Sequence, residues 1–336
     1  MRLRNLLEAE SARWSEFDPD LGEPIHEIGR LVLAGGKRLR PAFTHWGFVG
    51  AGGDPEHPLV VDAGAAFELM HAFALFHDDV MDDAASRRGA PTTHVRFAEH
   101  HHDGDWAGEA RRFGEGVAIL VGDLAFVYAD LLLSDAPREA WAIWNELRIE
   151  LNIGQILDIL GGVRNDRRLD KAQRICRYKS GKYTIERPLH LGAVLAAPER
   201  ADELLPILSA YGLPLGDAFQ MRDDVMGAFG DPSVTGKPVG GDLREGKPTP
   251  LLARAVDAAS PAQRSVLDRV GRADLSDSEV ADIQQVIVDT GALADLEATI
   301  ASLTDAALTA ISAAPITAEA RDELVQLAHF VSWRQT

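Results

Sequence analysis

The stretch Glu68-Leu-Met-His71-Ala-Phe-Ala-Leu-Phe-His77-Asp78-Asp79-Val-Met-Asp82-Asp83 decides how the rest of the chain reads. Apolar residues recur at helical spacing through Phe67, Met70, Ala74 and Met81, which predicts an amphipathic helix ending in carboxylates. Asp78 and Asp82 stand at i,i+4, so they share one helix face with Cβ atoms about 5–6 Å apart. Like charges one turn apart destabilise a helix unless a cation lies between them. A hard divalent ion with oxygen ligands, usually Mg2+ where phosphates share its shell, turns that repulsion into coordination.

The bland alternative is a solvated acidic helix end. The residues just after Asp83 argue otherwise. Arg87 and Arg88 lead into Gly89, Pro91, Thr92 and His94, a turn-forming segment. A carboxylate pair beside an arginine pair suits a metal-bridged, multiply charged anion, and a diphosphate fits best, because guanidinium forks bind phosphate bidentately.

Bulk properties narrow the classes. The 336 residues are 46% apolar, enough to bury a core, and the formal charge of -18 argues against nucleic acid or an anionic membrane as partner. Any phosphate site must therefore be local. The single cysteine, Cys176, excludes an internal disulfide and fits a reducing compartment, most simply the cytosol. It reads as a packing residue rather than a nucleophile. The N-terminus lacks the unbroken apolar run of a signal peptide. No stretch reads as the roughly 20 apolar residues that span a bilayer, so a soluble, cytoplasmic protein without stable membrane insertion is expected.

Taken in order, residues 5 to 34 mix apolar and charged residues at helical spacing and stop at Gly35-Gly36. Lys37-Arg38-Leu39-Arg40-Pro41 then sets three cations after two glycines whose bare backbone can approach a ligand closely, a second anion site or a solvated basic turn. Two apolar helical segments come next, separated by a turn from Gly50 to Pro58. His71 lies two turns before Asp78, as a hydrogen-bonded core residue or a ligand. Glu99-His-His-His-Asp103 resembles a metal cluster, yet the glycines after it favour a flexible polar loop.

Gly154-Gln155-Ile-Leu-Asp158 places polar groups in an apolar helix, where they serve packing or a site wall. A second acidic stretch is Phe219-Gln220-Met-Arg-Asp223-Asp224-Val-Met-Gly227, with Gln220 and Asp224 at i,i+4. Gly227 and Gly230 weigh against its helix continuing as far as Asp231. Beyond it lies a glycine- and proline-rich loop carrying Lys237 and Lys247. Ser260-Pro-Ala-Gln263 and Ser276-Asp-Ser-Glu279 read as capping boxes of later helices. With no linker and no strand alternation, one all-α domain over residues 1–336 is expected.

In this order, Gly35 to Pro41, His77 to Asp82, Arg87-Arg88-Gly89, Lys179-Ser180, Phe219 to Asp224, then Lys237 and Lys247, the chain resembles the trans-isoprenyl diphosphate synthases. The resemblance covers roughly residues 30 to 250. It implies a helical bundle around a central cavity (the type I isoprenoid synthase fold), with both aspartate motifs at its mouth, and a homodimer. It implies that Asp78, Asp82 and Asp223, helped by Asp79 and Asp224, hold about three Mg2+ ions on an allylic diphosphate. Arg87, Lys179, Lys237 and Lys247 would clamp that diphosphate, while Lys37, Arg40, His71 and Arg88 would hold isopentenyl diphosphate. The allylic C–O bond then ionises, with the Lys179 and Ser180 carbonyls and the Gln220 amide oxygen facing the cation. Attack by isopentenyl diphosphate and loss of a proton complete a five-carbon extension.

Two positions depart from the family's commonest form. Ser180 replaces a frequent threonine, and Gly227 stands where the second motif usually has a third aspartate, a gap Asp231 or water could fill. Product length would be set by Phe73 and Ala74, five and four residues before Asp78. The pattern resembles short-chain enzymes, geranylgeranyl (C20) ahead of farnesyl (C15) diphosphate synthases. Three rivals remain: a class I terpene cyclase, which would not need the Gly35–Pro41 site; a non-catalytic partner subunit of a heteromeric prenyl synthase, motivated by Gly227; and a purely structural acidic helical protein.

Overall fold

Helix α4, Pro58–Met81, shows how this sequence builds its elements. His57 accepts a hydrogen bond from the Leu59 amide at the N-terminus, and proline occupies the first turn, where its missing N–H costs nothing. From Ala63 to Met70 every residue is buried, and all but Glu68 are apolar or glycine, so the middle of the helix belongs to a core. This corrects the expectation about membrane length. Among the described residues α4 alone is long and apolar enough to cross a bilayer, but most of that surface is packed inside the protein.

The computed structural model describes residues 1–87, 89–230, 240–272 and 274–334, and it is all-α apart from one short hairpin. The chain forms two compact units. The first comprises Met1–His45 and Pro55–Ala136, the second Trp46–Asp54 and Pro137–Thr336.

In the first unit, α4 packs against α6 (Ala110–Leu132), and α1 (Arg2–Phe17), α2 (Gly22–Leu33) and α5 (Thr93–Asp103) close round them. The first half of helix α3 (Leu39–Gly50), up to His45, follows a loop in which Gly35 and Gly36 adopt φ of 96° and 135°, conformations that side chains resist. Between α4 and α5, β1 (Ser86–Arg87) pairs antiparallel with β2 (Ala90–Pro91), Arg87 opposite Ala90. The histidine run is helical, not a flexible loop. His94, Phe97 and His101 are buried on one face of α5, and His101, Trp106 and Phe113 pack their rings together, so aromatic burial outweighs the glycines.

In the second unit α7 (Arg138–Val163) and α8 (Leu169–Ile175) lead into a π-helix, Cys176–Glu186, then α9 (Arg187–Ala196) and α10 (Ala201–Phe229). The π-helix lies against α7 and α10. Backbones touch there: a Cβ on Gly181 would stand 2.9 Å from the Gly216 carbonyl carbon. Helix α10 passes through Gly227 and ends at Gly230. Among the described residues the α-helices that follow are α11 (Gly241–Glu245), α12 (Pro250–Ala258), α13 (Pro261–Leu267), α14 (Asp277–Asp289), α15 (Ala292–Ser312) and α16 (Ala318–Trp333). Both expected capping boxes form, at Ser260–Gln263 and Ser276–Glu279. Leu251, Leu252, Ile283, Leu296 and Ile300 bury around Met221 of α10 as one core.

Candidate active site

The first acidic group sits where α4 ends. Asp82 caps the helix, its amide donating to the Asp78 carbonyl at 2.8 Å, so Asp78 and Asp82 stand one turn apart at an open terminus. Asp82 is exposed, whereas Asp79 is 5% exposed and faces inward. Arg87 on β1 reaches back to it, Nε donating at 2.8 and 3.1 Å to the two carboxylate oxygens. Burial raises the Asp79 pKa and the Arg87 fork works against that rise. For Arg87, burial alone would weaken the cation, but Asp79, with Asp78 and Asp82 behind it, more than compensates. The hairpin thus positions an arginine beside three carboxylates.

Upstream on α4, Phe73 lies 4.7 Å, centroid to centroid, from both His77 and Phe126 of α6. His77 is fixed in turn by the Ile119 carbonyl at 3.0 Å. The glycine-bearing basic loop is tied to the same helix by Arg38, which pairs with Glu68 and donates to the Val32 carbonyl at 2.5 Å. Glu68 and His71 are i,i+3 neighbours, so this anchor fixes the segment carrying exposed Lys37 and half-buried Arg40 to a face of α4 that His71 shares. Sequence reasoning gave Arg38 no role of its own. Its signal is a cation next to two glycines with an unexplained buried glutamate one helix away.

In the second unit, Lys179 and Ser180 lie in the π-helix, whose widened turn departs from i→i+4 bonding, a distortion often found at functional sites. Gly154 permits it: a Cβ there would meet the Lys179 amide nitrogen at 2.3 Å. Lys179 Nζ is held 2.5 Å from Asp158 of α7.

The second acidic group lies on α10. Gln220 Nε2 donates to Asp224 Oδ1 at 2.9 Å, and Asp224 Oδ2 is buried without a hydrogen-bond partner. Burial pushes the Asp224 carboxyl well up, with Asp242 and Asp223 adding to the rise and Gln220 opposing it. Asp223 pairs with Arg334, just beyond α16, whose guanidinium also stacks 4.0 Å over the Phe219 ring. Lys247 Nζ lies 3.5 Å from Asp242. Sequence reasoning missed both Arg334 and Asp242, since local spacing links neither Asp223 to a residue 111 positions away nor α10 to a carboxylate beyond its own helix. Arg88, Lys237 and Asp231 lie outside the described residues.

Among the described residues no three histidine, cysteine or acidic side chains converge as a ready-made metal cage. The donor chemistry nevertheless fits Mg2+: oxygen ligands, an orphaned buried carboxylate oxygen at Asp224, and nearby cations for phosphate. Magnesium typically takes one or two carboxylates and completes its shell with phosphate and water.

These features define an all-α enzyme of the type I isoprenoid synthase fold. A crystal structure of geranylgeranyl pyrophosphate synthase from Corynebacterium glutamicum, complexed with isoprenyl diphosphate and magnesium, superposes with a TM-score of 0.92 at 37% identity, over 99% of this chain and 96% of that one. The geranylfarnesyl diphosphate synthase of Aeropyrum pernix is 35% identical over 272 residues, 78% of this chain and 79% of the relative. The geranylgeranyl diphosphate synthase of Saccharolobus solfataricus is 32% identical over 245 residues, 70% and 68% respectively. The polyprenyl synthetase family model matches residues 23–289. The chain belongs to the polyprenyl synthetase family, and it is a short-chain prenyltransferase of the isoprenyl diphosphate synthase class.

Proposed function

We propose that this protein condenses isopentenyl diphosphate with allylic diphosphates to make geranylgeranyl diphosphate, with residues 1–336 acting as one catalytic domain. The observation that carries the product length is Phe73, braced between His77 and Phe126 within α4 and α6. A ring held on two sides makes a firm floor, and one helical turn of about 5.4 Å corresponds to roughly one isoprene unit. Farnesyl diphosphate is the runner-up product.

Asp78, Asp82 and Asp223 would hold about three Mg2+ ions, which when bound supply Lewis-acid neutralisation of the departing diphosphate. Asp79 and Asp224 assist from buried positions, Asp79 by orienting Arg87. Arg87, Lys179, Lys237 and Lys247 would clamp the allylic diphosphate. Lys37, Arg40, His71 and Arg88 would hold isopentenyl diphosphate. Carbonyls of Lys179 and Ser180 and the amide oxygen of Gln220 would direct their dipoles at positive charge on the allyl group. A homodimer is supported by apolar residues left exposed in rows, Leu120, Val127 and Leu131 on α6 and Ile149, Ile153, Ile156 and Val163 on α7. The buried free thiol of Cys176 suits the cytosol.

The test is direct. Purified protein is incubated with Mg2+, isopentenyl diphosphate and each of the C5, C10 and C15 allylic diphosphates, and the products are sized. A dominant C20 product is expected; a C15 or C25 end point overturns the product, and no product with any primer overturns the reading. Light scattering on the purified protein should give twice the chain mass.

A further inference from the structure

The second acidic segment lacks a carboxylate at residue 227, which lies one turn beyond Asp224 on the same face of α10. The space is filled from another element. A Cβ built on Gly227 would meet Asp242 Oδ2 at 1.9 Å and its Cγ at 2.4 Å. No side chain can stand at 227 while the carboxylate of Asp242 occupies that place.

Asp242 is delivered there by an anchored turn. Arg167 donates to the Gly246 carbonyl at 3.0 Å, the Gly271 amide to the Leu243 carbonyl at 2.9 Å, and Arg244 pairs with Asp277 at 2.5 Å. Leu243 is buried in the core around Met221. The Lys247 amide bonds the Asp242 carbonyl at 3.1 Å, folding Lys247 back beside the carboxylate. One turn before Gly227 on the same helix, Asp224 is 4% exposed and its Oδ2 has no hydrogen-bond donor. A carboxylate standing in the place of the missing 227 side chain, one turn from a buried and unsatisfied carboxylate oxygen, leaves a place that a hard cation suits.

We propose that Asp242 supplies the carboxylate that position 227 lacks, and so forms with Asp224 a two-carboxylate magnesium-binding pair. The identity of the ion and of its phosphate co-ligand rests on the prenyl-transfer reading. Glycine at 227 is then a fitted residue rather than a loss. Restoring an aspartate there displaces Asp242 instead of adding a ligand.

The experiment measures Mn2+ binding to the full chain by electron paramagnetic resonance, with and without inorganic diphosphate. Asp242→Asn should weaken binding about tenfold while circular dichroism is unchanged. Gly227→Asp, although it adds a carboxylate, should also weaken it, and Gly227→Asp combined with Asp242→Gly should recover most of the loss. Asp242→Asn binding like the parent, or Gly227→Asp alone binding more tightly, overturns the proposal and leaves the enzyme assignment intact. A parent protein that binds no Mn2+ even with diphosphate overturns both. If Gly227→Asp fails to fold, Asp242→Asn and Asp242→Ala decide the matter.

Discussion

Arg87 closes the hairpin onto α4 by donating to both carboxylate oxygens of Asp79, which is 5% exposed. The contact makes Arg87 a structural clasp before any substrate arrives. Removing the cation strands a buried carboxylate, and because burial already raises its pKa, protonation limits the damage. Arg87→Ala should therefore cost about 2–3 kcal/mol in urea unfolding without Mg2+ or diphosphate. Unchanged stability would leave Arg87 as a substrate contact alone.

The π-helix depends on a bare backbone at Gly154, where a Cβ would stand 2.3 Å from the Lys179 amide nitrogen. Gly154→Ala should destabilise the protein by roughly 1–3 kcal/mol and depress kcat, because it moves Lys179. Gly162 lies on the same helix with nothing near its missing Cβ. Gly162→Ala should be neutral or gain up to about 1 kcal/mol. Equal effects at the two positions would refute the fitted-glycine argument.

Phe73→Ala removes the ring braced by Phe126 and His77. Products should lengthen by at least one isoprene unit in the C15-primed assay. Phe126→Ala, which takes away only the brace, should shift the distribution the same way but less. An unchanged distribution for Phe73→Ala would show that the floor lies elsewhere.

His190 is buried against Arg187 and Ser209, near Lys182 and Glu150, and burial together with the Arg187 charge lowers its pKa from 6.5 to about 3. The unfolded chain binds a proton below pH 6.5 that the native state refuses, so stability falls as pH drops through the window from 6.5 towards 3. Between pH 6 and pH 5 this group should contribute about 1 kcal/mol of loss. His190→Gln should flatten that slope in thermal or urea unfolding. A parallel slope in the variant would assign the acid sensitivity to other groups.

Local signals carried much of the architecture. The 3.6-residue spacing ahead of Asp78, proline after His57, and the boxes at Ser260 and Ser276 act within one or two turns, so their outcome is written in neighbouring residues. The histidine run at 100–102 is misread from its glycines because the aromatic partners that order it, Trp106 and Phe113, come from beyond the helix. The α4 core is underrated for a related reason: its isolated polar residues, Glu68 and His71, obscure an apolar length that is plain once the helix is seen.

By itself the sequence determined which residue types serve the chemistry and on which helices they ride, since carboxylate spacing, basic clusters and caps are short-range properties. Tertiary structure alone decided their partners. Asp79 answers to Arg87, Lys179 to Asp158, Asp223 to Arg334, and the missing side chain at Gly227 to Asp242. Each of these pairings depends on where the chain returns after the elements that separate the two residues in sequence. The energy of a carboxylate is set by what packs against it rather than by what precedes it in the chain.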